Sequence, residues 1–176
     1  DHFNLSNWGS LLIEDFIWRA DFENDFLLRV NLCIMRSRRI VEINPLTRLP
    51  GNISINRELQ ERINRKQAFA FGYADLDSFK PFNDRYGFSR GDKVIKITGR
   101  LILNIVKSKQ PHGSFIGHVG GDDFVFIIDS ALVEEAATEI IEAFDSIIPT
   151  FYDPEDAAQG FIKSFDRKGK ASTFPI

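Results

Sequence analysis

The sequence predicts an α+β domain in which helices pack on an antiparallel-rich central sheet, preceded by an N-terminal helical extension. Three observations carry this reading. AFAFGYAD, residues 68–75, alternates bulky and small side chains with period two, the mark of a strand with two unlike faces. Phe115–Val119 and Phe124–Ile128 are apolar runs of strand length around Gly120-Gly121, where positive φ angles permit a hairpin turn. GDKVIKITGRLILNIVKS and the stretch from Val133 to Ile147 instead repeat apolar residues at helical spacing. The resulting order of strand, helix, helix, hairpin, helix, hairpin describes helices laid on an antiparallel sheet.

Each element follows from its local pattern. From Trp8 to Ile43, WGSLLIEDFIWR and NDFLLRVNLCIMRSRRIVEI read as two helical stretches, with Leu27, Val30, Ile34 and Val41 on one face. Arg36, Arg38 and Arg39 read as a solvated face of the second stretch. NPLTRLPGN, residues 44–52, ends it with two prolines and a glycine, so residues 1–43 are expected to form one segment and 44–176 the main domain. INRELQERINRKQ reads as a polar-rich helix. In the strand that follows, Phe69, Phe71 and Tyr73 face away from Ala68, Ala70, Gly72 and Ala74, whose small side leaves room for a closely packed helix. A short helix begins near Ser78 and tolerates Pro81 in its first turn, where a missing N–H leaves no intrahelical bond unmade. Val94, Ile97, Thr98, Leu101 and Ile105 form the apolar stripe of the next helix; Val133, Ala136, Ala137, Ile140, Ile141, Phe144 and Ile147 form that of the one after the hairpin. YDPED is expected to be a loop, and GFIKSF and ASTFPI two short strands joined by a solvated DRKGK tip.

Composition removes several function classes. The chain has 176 residues, 22 Lys+Arg against 25 Asp+Glu and a formal net charge of -3, which favours neither duplex nucleic acid nor an anionic membrane surface. No apolar run approaches a membrane span and no signal peptide is evident. The single cysteine, Cys33, permits no internal disulfide and reads as a core thiol. An EF-hand starting at Asp153 is excluded by Ala158 and Ser164, which stand where Gly and Glu are needed.

Four acidic residues fall where strands stop: Asp75 and Asp77 after the first, Asp122 and Asp123 at the hairpin. If the hairpin pairs beside the first strand, Asp75 and Asp122 reach one ion. Carboxylate oxygens suit a hard cation such as Mg²⁺ or Mn²⁺, and without nearby His or Cys ligands zinc is disfavoured. The N-terminus of the helix after Asp77 would aim amide N–H groups at the same place, completing a site for a triphosphate. Taken singly, Asp77 is most simply a helix N-cap, and Asp122 and Asp123 are polar turn residues. An unpaired Asp75 at the end of so apolar a strand is harder to account for without a ligand.

GGDDF, preceded by ADLDSFKPFNDRYGFSRGD and before that by NPLTRLPGN, resembles the GGDEF domain of bacterial diguanylate cyclases, in the expected order and from about Asn44 to the C-terminus. The resemblance implies a palm-like fold similar to the class III nucleotide cyclases, in a domain that ends before the family's later strand and final helix. It also implies condensation of two GTP into cyclic di-GMP by a cytoplasmic homodimer, with an upstream sensory or receiver module acting through residues 1–43. By the same resemblance, Asp75, the Leu76 carbonyl and Asp122 hold the metal, and Asp122, Asp123 and Asp75 serve catalysis. Gly120 and Gly121 form the signature turn; Ser78, Phe79 and Lys80 cradle phosphates; Asn83 and Asp92 read guanine. For Asn83 a solvated helix residue, and for Asp92 a helix cap, are the alternatives the residues alone allow.

The chain departs from the family's pattern in particular places. Asp123 stands where Glu is usual, and the carboxylate loses a methylene of reach. His118 stands where Arg is frequent, either as a structural residue or as a weaker cation. Asn44 replaces the Asp that opens the first motif and Arg48 a common Gly. PHGS, residues 111–114, occupies the place of an inhibitory Arg-x-x-Asp site, so product inhibition through that site is not expected. A degenerate domain that binds GTP or a partner without turnover is the alternative function.

Overall fold

The computed structural model describes residues 26–32, 43–165 and 170–176. The chain divides into two compact units, residues 1–40 and 41–176. In the first unit, residues 26–32 are helical (α1), with Leu27 and Val30 exposed. Ile34 and Val41 of the expected face, Cys33 and the Arg36, Arg38, Arg39 cluster lie outside the described residues, as does most of the DRKGK tip.

The second unit is a helix-covered antiparallel sheet. Helix α2 (Asn52–Asn64) leads to strand β1 (Ala70–Ala74), helix α3 (Phe79–Tyr86) and helix α4 (Phe88–Lys109). The hairpin of β2 (Phe115–Gly120) and β3 (Asp123–Ile128) follows, then α5 (Val133–Ile147), a 3₁₀ turn (Ile148–Phe151) and α6 (Pro154–Gln159). A second, two-stranded sheet pairs β4 (Phe161–Phe165) with β5 (Ala171–Pro175). In the main sheet the strand order is β1-β3-β2, antiparallel throughout.

Period-two patterning decides the two faces of this sheet. Ala74 lies opposite Phe124, Gly72 opposite Phe126 and Ala70 opposite Ile128; Ile116 and His118 continue that face across β2. Phe124, Phe126, Ile128 and Ile116 are buried there with Val94, Ile102 and Val106 of α4 and Ala136 and Ile140 of α5. The small side of β1 thus receives more than a helix. A Cβ built on Gly72 would stand 2.3 Å from the Phe126 ring, so the glycine is required by the aromatic ring of the neighbouring strand. On the opposite face Val125 and Ile127 are buried, and Gly117 admits Ile55 of α2. Phe71 and Tyr73 remain 43% and 58% exposed on that side of β1.

Helix α4 begins at Phe88, three residues before the segment GDKVIKITGRLILNIVKS that carries its apolar stripe. Gly87, at φ +81°, ends α3 and opens α4 in a single residue, a conformation that costs glycine little. Helix α5 has the expected range, but Ile141 is exposed and only Ala136 and Ile140 are fully buried. Among the described residues YDPED differs from its expected loop: from Pro154 it begins helix α6. Pro154 occupies its first turn after Asp153, and Asp156 is held by the Tyr86 hydroxyl, by Arg85 at 3.2 and 3.3 Å and by Gln159 at 2.8 Å. Arg85 and Tyr86 lie 71 and 70 residues upstream, and local propensity carries no trace of them.

Gly72→Ala is expected to lower the unfolding free energy by about 1–3 kcal/mol, the usual cost of overpacking a filled core, as read from the urea midpoint.

Candidate functional site

The hairpin turn is built from Gly121 and Asp122, with Gly120 and Asp123 paired as the last residue of β2 and the first of β3. Gly121 has φ +60° and Gly120 φ +149°, so both positions suit glycine. The register between β1 and β3 ends at Ala74 opposite Phe124. Asp75 and Asp123 are therefore the next residues at the same end of neighbouring strands, with Asp122 one step further on the turn.

The geometry brings Asp75, Asp122 and Asp123 together: their nearest carboxylate oxygens all lie within 4.8 Å of one another. This is the one such acidic group among the described residues. Partial burial and the negative charges of Asp122 and Asp123 raise the pKa of Asp75 above the ordinary carboxylate range. The same concentration of charge raises the pKa of the Tyr73 hydroxyl, chiefly through its contact with Asp123. An all-oxygen donor set in mutual repulsion fits a hard divalent cation, which would relieve the repulsion and take the rest of its shell from water or phosphate.

Around this cluster the sequence-predicted residues occupy α3 and the start of α4. Leu76 precedes the turn into α3, and its carbonyl accepts from the Phe79 amide at 3.3 Å, which leaves a second lone pair. Ser78 precedes α3 at φ +58°, a left-handed conformation that costs a non-glycine residue about 1 kcal/mol or more. No side chain caps this helix, so Asp77 is not its N-cap. Lys80 is exposed and bonded to Asp84 at 2.6 Å. Asn83 has a buried side-chain oxygen without a hydrogen-bond partner, and a Cβ on Gly91 would come within 1.9 Å of it. Asp92 is exposed, in the second turn of α4, so it does not cap that helix either.

His118 resolves the alternative the sequence left open. It is 2% exposed and stacks on Phe124 at 4.5 Å between ring centres. Its Nδ1 lies 2.9 Å from Thr47 Oγ1 and its Nε2 3.1 Å from the Gly121 carbonyl. Burial lowers its pKa, against weaker opposing effects of the Gly121 carbonyl and Asp123. Buried and bonded through both ring nitrogens, His118 is seated as a structural residue, and its lowered pKa favours the neutral ring. Sequence reasoning did not find Thr47 as its partner, because the two are 71 residues apart.

A family described as "Diguanylate cyclase, GGDEF domain" matches residues 41–161. Diguanylate cyclase DgcP of Pseudomonas aeruginosa is 28% identical over 109 residues, 60% of this chain and 16% of that protein. The bifunctional diguanylate cyclase/cyclic di-GMP phosphodiesterase MucR of the same organism is 33% identical over 98 residues, 53% of this chain and 14% of that protein. The chain thus matches about a sixth of the length of these relatives. Among solved structures, the coiled coil and GGDEF domain of DgcB from Caulobacter crescentus, in complex with c-di-GMP, shares the fold. Its TM-score is 0.51 at 24% identity, over 69% of this chain and 65% of that one. Among the described residues no helix is long and apolar enough to cross a membrane.

Two outcomes follow from the charges. Because the Asp75 pKa is raised in the folded state, its ionised form opposes folding while no cation is bound, and the opposition weakens as the pH falls toward that pKa. Asp75→Asn should therefore raise the melting temperature of metal-free protein at pH 7.5 by roughly 1–2 °C, a screened surface effect, and abolish any further rise on adding Mg²⁺. His118 has the opposite sign. Its folded pKa is depressed, so the unfolded chain takes up a proton first and stability falls as the pH drops below about 6.5. Thermal scans from pH 8 to 5 should show that fall, and His118→Gln should flatten it.

Proposed function

As the chain belongs to the diguanylate cyclase GGDEF domain family, we propose that it condenses two GTP into cyclic di-GMP with release of pyrophosphate, as a cytoplasmic homodimer. The observation that carries this reading is the cluster of Asp75, Asp122 and Asp123 within 4.8 Å at the end of the sheet. In it, Asp75, Asp122 and the Leu76 carbonyl would hold Mg²⁺ or Mn²⁺. When bound, the cation lowers the cost of charge on the phosphoryl group and of ionising the attacking 3′-hydroxyl.

The chain's own residues supply position. The Ser78 amide, and the Phe79 amide on giving up its 3.3 Å bond to the Leu76 carbonyl, would offer donors and a positive dipole end to phosphate oxygens, beside a helix start that no side chain caps. Lys80 would exchange its bond to Asp84 for a phosphate, both partners being exposed. The Asp92 carboxylate, accepting from guanine N1–H and the exocyclic amine together, and the unpartnered Asn83 amide oxygen would read the base. Asp123, beside Asp75 and Asp122, would help orient the attacking hydroxyl.

A single site binds one GTP, so the 3′-hydroxyl of one nucleotide reaches the α-phosphorus of the other only when two domains face each other. Residues 1–43 are the proposed device for controlling that encounter, under an upstream sensory or receiver module, with 44–176 as the cyclase domain.

Incubation with GTP and Mg²⁺ should yield cyclic di-GMP, with Asp122→Ala lowering the rate by about 100-fold or more and Asp92→Ala acting mainly on KM. GTP binding that depends on Asp92 but gives no product would identify a nucleotide-binding regulatory module instead.

A further inference from the structure

We infer that His118 is a positioning residue for the carboxylate turn: its imidazole ties the loop at residues 44–50 to the Gly121–Asp122 peptide and thereby sets how tightly Asp122 and Asp75 take a divalent cation. The cation half of this rests on the proposed metal role of those carboxylates; the coupling half does not.

The direction of each bond is fixed by chemistry. The Gly121 carbonyl only accepts, so Nε2, 3.1 Å away, carries the proton. In the neutral ring Nδ1 then holds a lone pair, and the Thr47 hydroxyl at 2.9 Å donates to it. The His118 backbone amide donates to the Pro50 carbonyl at 2.8 Å, so ring and main chain grip the same loop. Stacked on Phe124 with 16° between the planes and 2% exposed, the ring has one seating.

Both ends of this link are selective. The loop is internally braced: Asn44 Oδ1 accepts from the amides of Leu46 at 2.9 Å and Thr47 at 3.1 Å, and Asn44 N donates to the Leu49 carbonyl at 2.8 Å. Buried Leu49 and Thr47 also face Gly99 of α4, where a Cβ would lie 3.2 Å from Leu49 and 3.4 Å from Thr47. The turn is the opposite, two glycines with little conformational preference of their own. Because the peptide group is planar, fixing the Gly121 carbonyl fixes the plane from which Asp122 departs. The Thr47 hydroxyl thus acts on a carboxylate it does not touch.

The test uses Thr47→Val, which keeps the shape and removes the donor, with Thr47→Ser as the conservative control and His118→Gln as the second break. Amide hydrogen exchange is measured without metal, and Mn²⁺ affinity by titration. Thr47→Val should speed exchange at residues 121–123 about 3–10-fold, as losing one net hydrogen bond does, leave α5 unchanged and weaken Mn²⁺ binding by a similar factor. Thr47→Ser should match the parent. The inference is overturned if Thr47→Val and His118→Gln lower the melting temperature while turn exchange rises no more than elsewhere and Mn²⁺ affinity holds within about twofold. Turn exchange that responds to Thr47, in a protein whose Mn²⁺ affinity is unmoved by Asp122→Asn, would uphold the coupling and sink the metal reading alone.

Discussion

The antiparallel register between β1 and β3 is the constraint on which the site depends. With Ala74 opposite Phe124, both strands run out together and Asp75 and Asp123 emerge side by side. A slip of one residue would turn Phe124 and Phe126, 0% and 4% exposed, to the other face and would drive a side chain through the space Gly72 leaves for the Phe126 ring. The hydrophobic core therefore fixes the relative positions of two carboxylates that it does not contain. Only a rigid scaffold of this kind can hold three like charges within 4.8 Å, since their mutual repulsion favours every other arrangement.

Most of this was legible because short-range patterns coincide with long-range packing. The alternation in AFGYA, the glycines at 120 and 121 and the helical stripes of α4 and α5 each state their element locally, and the hairpin's adjacency to β1 followed from their shared apolar character. The turn itself sits one residue later than Gly120-Gly121 suggests, because Gly120 still pairs with Asp123. What escaped depends on partners remote in sequence. Helix α6 is anchored through Asp156 to Arg85 and Tyr86, and the seating of His118 is decided by Thr47. The N-cap reading of Asp77 failed for a different reason. Ser78 takes the left-handed conformation at the helix start, which no composition rule predicts.

Among the described residues two buried side-chain atoms lack a hydrogen-bond partner, Ser54 Oγ of α2 and Asn83 Oδ1 of α3. Buried His118 and Asp156 have partners for their polar groups, as a buried polar atom requires if it is not to destabilise the fold. Asn83 does not: its side-chain oxygen is buried against Gly91 without a partner. An unpaired buried oxygen is costly to a fold, so Asn83, unlike His118 and Asp156, is not accounted for by its packing alone.

The two acids of the turn are also unequal in a way the signature conceals. Asp122 is a central turn residue, and the preceding glycine lets its backbone adjust. Asp123 is the first paired residue of β3, held by Gly120 across the hairpin and followed by fully buried Phe124. A side chain one methylene shorter at position 122 could be accommodated by the turn, whereas at 123 the backbone cannot move to recover the reach without breaking the pairing or exposing Phe124. The shorter acid therefore sits at the less forgiving position. Asp123 nonetheless lies within 4.8 Å of Asp75 and Asp122, on the face of the sheet from which Tyr73 of β1 also extends.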